Sequence, residues 1–336
     1  VNLRELFETS VRLGIARDLR GEGAVREQLA RRRREYESLP DWQRPYYDQE
    51  RFRNPYGDVR IAYAPVPPEQ IEVRSIVLGI DVHLPELLLA DRLRQEGRRV
   101  DAVIAHHAHG IGRSPSLSWD TMPFLVDLLA LEGVPRADAE ACIHPYIEGK
   151  LRDLEDFHRI GPDMARLLGL PLGCIHTPAD YYITVGVRAA IEEARAETVG
   201  DVVQALHTLP EVASSARLGV GVRVMSGDEG RPAGRILYKF GGGYILPPQA
   251  YPLLGAAGVN TVLQIGCGPP HARAAQEAGV SIVRIAHGAC DNVGLNLLLD
   301  DVVREHGPFE VIACGAFERL SRLPHSPTES PAGSER

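Results

Sequence analysis

A chain of 336 residues, 44% of them hydrophobic, is long enough for two domains with sizeable cores. A net charge of −8 offers no broad electrostatic footprint for a phosphate backbone and leaves nucleic-acid binding unsupported. Cys142, Cys174, Cys267, Cys290 and Cys314 form no CxxC pair and point to a reducing cytoplasm, while no run of about 18 apolar residues suggests a membrane span and the charged start is unlike a signal peptide.

In chain order, the first seventy residues differ from the rest. Leu3 to about Leu39 has helical spacing and includes the basic run Arg31 to Arg34, read as a solvated face or as a contact for an anion or partner. Trp42 to Pro68 is aromatic and proline-rich, so residues 1–70 are expected to form a helical and irregular extension packed on the core or on a neighbouring subunit. A first α/β lobe, 71–210, opens with a strand over Ser75 to Ile80 and a helix from near Pro85, since proline favours a first helical position. The strand Ala102 to Ala105 ends on His106 and His107. Helical patterns over Met122 to Leu131 and Ala137 to Leu168 separate it from Gly173-Cys174-Ile175, a crossover spacing that favours a parallel or mixed sheet. A second lobe, 211–322, has strand patterns at Val220 to Val224, Arg235 to Tyr238, Thr261 to Ile265 and Ile282 to Ile285. The glycine-rich Phe240 to Tyr244 has neither a P-loop ending nor GxGxxG spacing and reads as a close-packed turn near the cleft. Residues 323–336 are expected to be a disordered tail.

Three of these apolar runs end on metal-grade side chains: His106 and His107; His176 and Asp180; His287 and Asp291. Ligands in α/β sheets gather beyond the carboxyl ends of the strands, so three such ends can share one cleft. Imidazole nitrogen with carboxylate oxygen suits Zn, Fe, Mn and neighbouring divalent ions, and three His with two Asp are too many ligands for one tetrahedral ion but enough for two. Adjacent histidines point to opposite faces of a strand, so both serve only where the strand has ended and the chain turns, for which Ala108-His109-Gly110 is suitable. His287 and Asp291, at i and i+4, share a helix face if Asp291 already lies in the helix. Plainer readings stand beside these. Asp180 and Asp291 have an alternative as helix caps, Asp81 and His83 read as turn or cap residues, and His109 and His271 as solvated or structural histidines.

The order HH, HTxxD, a glycine-rich stretch and AGxxxxxxxHxxxD resembles the Nif-three-like family, also described as type-two GTP cyclohydrolase I homologues, from about Asn54 to about His306. The resemblance implies two α/β lobes with mixed sheets enclosing a dinuclear metal cleft, and two divalent ions held by His106, His107, Asp180, His287 and Asp291. Asp291 stands where the family usually has a bridging glutamate, and Ala108 where proline commonly follows the two histidines. His176 corresponds to a residue near the site, with an orienting role or, like His109, a role in moving a proton. The implied function is a dimetal hydrolase that activates water against a nucleotide-like or other small phosphorylated or cyclic-amide substrate. The alternative is a non-catalytic regulatory or protein-interaction module that binds metal. Rings of six are common in the family, so a homo-oligomer is implied, with a hexamer as one form.

Overall fold

A computed structural model describes residues 1–107, 122–152 and 159–324. Two mixed sheets carry the architecture, each parallel apart from one antiparallel edge strand. The first has five strands in the order β1 (Val59–Tyr63), β4 (Leu172–Ile175), β3 (Ala102–Ala105), β2 (Ser75–Gly79) and β9 (Glu310–Cys314). The second has four, in the order β5 (Arg223–Ser226), β8 (Ser281–Arg284), β7 (Thr261–Gln264) and β6 (Ile236–Lys239).

β2, β3 and β4 are buried along their whole lengths, as central parallel strands covered on both faces must be. Parallel neighbours need crossovers. Between β2 and β3 the chain passes through α3 (Leu84–Gln95), and before β4 through α4 (Phe124–Leu131), α5 (Arg136–Arg152) and α6 (Ile160–Leu168). Pro85 starts α3, whose Glu86 carboxylate accepts the His83 backbone N–H at 2.8 Å, and Gly169 ends α6 in the left-handed region.

The amino-terminal stretch is part of the core. Within α1 (Leu3–Ile15), Asn2 and Glu5 form a capping box and Leu3, Leu6, Phe7 and Leu13 are buried. Gly173 on β4 makes room for this helix, because a Cβ there would stand 2.3 Å from the Phe7 ring. α2 (Gly21–Ser38) is more exposed, yet the basic run is not a uniform solvated face: Arg32 is buried and donates to the carbonyls of Asn54 and Pro55.

Two strands lie where the sequence signal is weak. β1 is an edge strand interrupted by Arg60, whose guanidinium is held by Asp48 and by the carbonyls of Tyr56 and Val59. β9 runs parallel to β2, with Ser75 opposite Glu310 and Gly79 opposite Cys314. The chain thus leaves the first sheet after β4, builds the second, and returns. The strand expected at Val220 forms only from Arg223.

The long helices α7 (Thr177–Glu193) and α12 (His287–His306) follow β4 and β8 and pack tightly on each other. Between them in sequence lie α8 (Val199–Leu206), α9 (Pro210–Arg217), α10 (Ala250–Ala256) and α11 (Pro269–Glu277). Small residues set the α7–α12 distance. A Cβ on Gly294 would stand 2.3 Å from the Ala179 carbonyl, and one on Gly186 would press on Val293 and Leu297. This approach brings the first turns of both helices together, and with them Asp180 and Asp291. Neither acid caps its helix, since α7 begins after His176 and α12 after Ala286. Both helices start about a full turn earlier than an acid-capped helix would, which leaves Asp180 in the first turn of α7 and Asp291 just beyond the first turn of α12, near the positive end of each helix dipole.

Candidate metal centre

His106 and His107 lie immediately beyond β3, where the strand has ended and both rings can face one space. Three sets of donor atoms converge there, each within 4.8 Å of one another: His106, Asp180 and Asp291; His107, His287 and Asp291; and His106, His107 and His176. The first set is fully buried, while His287 stands half exposed at the mouth. His109 lies outside the described residues. His271 is remote in role, accepting the Gly268 N–H at the start of α11.

Hydrogen bonding fixes which imidazole nitrogens face the space. His106 Nδ1 lies 3.1 Å from the Ile175 carbonyl, which can only accept, so Nδ1 carries the proton and Nε2 keeps its lone pair. That lone pair faces Asp180 Oδ1 at 3.6 Å and Asp291 Oδ1 at 3.7 Å. His107 is arranged likewise. Its Nδ1 is 2.8 Å from Asp81 Oδ1, and its Nε2 is 3.5 Å from Asp291 Oδ2. Asp81 therefore orients a histidine and is not a helix cap, a place taken by His83. His287 Nε2 also lies 3.5 Å from Asp291 Oδ2.

These separations are too long for hydrogen bonds, and they set acceptors against acceptors in a buried space. His106 Nε2 and Asp291 Oδ2 are both buried without a hydrogen-bond partner. A buried polar atom without a partner costs about 1–3 kcal/mol, more when charged, and a cation satisfies all of these atoms at once. The donor set, imidazole nitrogen with carboxylate oxygen, fits a divalent metal. Asp291 is the hinge of the arrangement: one of its oxygens faces His106 and the other faces His107 and His287.

Titration behaviour agrees with this picture. Burial, reinforced by the neighbouring His106 and His176 rings, lowers His107 to about 3, which keeps it neutral as a ligand must be. Burial raises Asp180. It pushes Asp291 the same way, but His106, His287 and His107 outweigh it and hold that carboxyl below its ordinary value. His176 is opposite in character. Burial alone lowers it, yet Asp180 and Asp58 prevail and lift it to about 9.

Three residues of this neighbourhood carry no motif. Asp58, fully buried just before β1, accepts the Thr177 hydroxyl at 2.6 Å and lies 3.0 Å from His176 Nδ1. That contact is poorly aligned for a hydrogen bond, so its charge is the firmer part of the interaction. Cys174 donates its thiol to the His106 carbonyl and braces the strand end. Lys239, at the end of β6, is buried and is lowered to about 8 by that burial, against the pull of Asp180. A signal for Asp81 was present in its place beyond a strand end, whereas Asp58 precedes a strand that the sequence barely marks.

The donor atoms open on a cavity of about 140 Å³ lined by His107, His176, Asp180, His287 and Asp291 and, from the glycine-rich loop expected near the cleft, by Phe240, Gly243 and Tyr244. A larger groove of about 990 Å³ runs between α1 and β1, past Phe7, Val11, Ile15, Ile61 and Tyr63. It gathers no comparable set of donors, so size alone does not locate the chemistry.

A mixed α/β protein with a buried imidazole–carboxylate cleft is the class these features define. No protein-family profile and no curated protein matches the chain. Among solved structures, a NIF3 superfamily protein from Sphaerobacter thermophilus is similar, with 28% identity, a TM-score of 0.65, and coverage of 79% of this chain and 93% of that one. Looser likenesses, on which nothing rests, are HcgD from Methanocaldococcus jannaschii (12% identity, TM-score 0.47, 77% and 89% coverage) and the hypothetical protein SA1388 from Staphylococcus aureus (12%, 0.43, 80% and 93%). That likeness and the order of the motifs both support a Nif3-like family assignment. No described helix is long and apolar enough to cross a membrane.

Proposed function

We propose that His106, His107, Asp180, His287 and Asp291 hold two divalent cations, Zn, Fe or Mn, and that the protein is a metal-dependent hydrolase. The observation that carries the two-cation reading is Asp291, whose oxygens face two different groups of imidazoles. Aspartate is one methylene shorter than glutamate, but the close packing of α7 on α12 brings its carboxylate within reach of both. Cations held there would supply Lewis-acid polarisation of a scissile bond and a water nucleophile near neutral pH. Asp81 keeps His107 in the tautomer that offers Nε2, and the Ile175 carbonyl does so for His106. His176, backed by Asp58, lines the cavity and is placed to orient a group there or to move a proton.

A space of about 140 Å³ takes the cations and the reacting part of a substrate, not a whole large molecule. The substrate class in this reading is small: nucleotide-like, otherwise phosphorylated, or a cyclic amide, with the rest of the molecule outside the mouth near Tyr244 and His287. A cytoplasmic homo-oligomer belongs to the same reading, and light scattering tests the assembly.

Metal analysis of purified protein, followed by screening with nucleotides, phosphodiesters and cyclic amides, tests the chemistry. Turnover that disappears in both His107→Ala and Asp291→Ala supports it. Full cation occupancy with no turnover on any class would favour the regulatory module instead.

A further inference from the structure

Of 37 basic side chains only Lys150 and Lys239 are lysines, and both meet the loop Phe240 to Tyr244. Lys239 is 2% exposed, and its ammonium donates to the Gly241 carbonyl at 2.6 Å. Lys150 approaches from α5, its Nζ 5.7 Å from the centre of the Tyr244 ring and equally far from that of Tyr146.

The loop needs holding. Gly242 and Gly243 both have positive φ, at 91° and 72°, and three consecutive glycines give up more backbone freedom on folding than any other three residues. On its packed side, a Cβ at Gly242 would stand 2.8 Å from Leu125 and one at Gly241 would stand 3.1 Å from Tyr181. On its other side Phe240, Gly243 and Tyr244 line the cavity. With Ile183 and Ile265 it makes up the part of the cavity wall that carries no candidate ligand.

An ammonium suits this place better than a guanidinium. The buried arginines among the described residues each have several acceptors: Arg32 reaches the Asn54 and Pro55 carbonyls, and Arg60 reaches those of Tyr56 and Val59 as well as Asp48. At Lys239 the single acceptor in reach among the described residues is the Gly241 carbonyl, which matches a compact point charge and not a planar fork of five donors.

We propose that Lys239 is a positioning residue whose buried ammonium pins the Gly241 carbonyl and so fixes the glycine loop as the substrate-side wall of the cation cleft. The assignment of that wall to substrate rests on the hydrolase reading above; the pinning does not. With only two lysines, selective 15N-lysine labelling of the cation-loaded protein yields a two-residue side-chain spectrum. The ammonium protons of Lys239 are expected to exchange at least tenfold more slowly than those of Lys150. Hydrogen exchange of the amides at 241–244 should be at least tenfold faster in Lys239→Met, with cation stoichiometry and exchange in α7 unchanged, and Lys239→Arg should not restore it. With bis(4-nitrophenyl) phosphate as the substrate probe, Lys239→Met should raise KM at least fivefold and leave kcat within twofold. Equal exchange of the two lysine ammoniums, or loop amides indifferent to Lys239→Met, would overturn the proposal. The labelling result decides it even where the variant fails to fold. No turnover by the wild type would count against the hydrolase reading alone, because the exchange measurements stand without it.

Discussion

Helix α12 buries an acid near each end, and the two are treated in opposite ways. Asp300 has both its oxygens answered: Arg319 at 2.5 Å and the Ser321 hydroxyl at 2.9 Å on one, and the Arg322 backbone N–H at 2.7 Å on the other. Beside it Glu211 accepts from Arg322 and, at 3.1 Å, from Asn296. Asp291, two and a half turns away, has one buried oxygen with no hydrogen-bond partner and faces imidazole nitrogens at 3.5–3.7 Å. The first arrangement is complete as it stands and ties residues 318–322 to the helix. The second lacks such partners and is suited to hold a cation. Satisfaction of hydrogen bonds, more than burial, distinguishes an acid that holds the fold from one that serves a ligand.

The contrast can be broken most sharply at Asp300. Asp300→Ala leaves the Arg319 and Arg322 contacts without their carboxylate and should cost about 3–5 kcal/mol of folding stability, read by urea unfolding of cation-free protein, with cation stoichiometry of the folded fraction unchanged. Loss of cation binding in that variant would erase the distinction. Removing cations from the wild type with a chelator should cost about 2.7–4.1 kcal/mol relative to protein held at 100 to 1,000 times the dissociation constant. Asp291→Asn should abolish that difference between loaded and stripped protein; a variant that still gains stability from cations would place the ligands elsewhere. The smallest effect is expected at Asp81. Asp81→Asn should weaken cation binding by about 10–100-fold, measured by competition with a chromophoric chelator, while the stripped protein unfolds as the wild type does.

Much of the fold was legible because buried parallel strands announce themselves as short apolar runs, and β2, β3, β4, β7 and β8 fall on or within a residue of the expected places. β1 and β9 were not, since an edge strand with a buried Arg60 and a strand beyond the last motif lack both alternation and context. The convergence of His106, His107, Asp180, His287 and Asp291 in one space follows from strand-end logic applied to motif order. Asp58 and Lys239 escaped it for a physical reason. One acts on His176 and Thr177 from a distant segment and the other on a main-chain carbonyl, and neither relation leaves a spacing in the sequence. The alternative reading of Asp180 and Asp291 as helix caps does not hold, because His176 and Ala286 end the preceding extended segments and each helix has already begun.

The pairing of β9 with β2 carries a consequence for how the protein is made. At about 5–20 residues per second, the histidines after β3 leave the ribosome roughly 10–40 s before Asp291 does, and β9 follows later still. Until then β2 has an open edge and the early histidines and Asp180 lack the acid that joins them. In the two-cation reading the nascent chain would hold only part of the ligand set until Asp291 emerged, and β2 keeps an edge open to wrong pairing until β9 arrives.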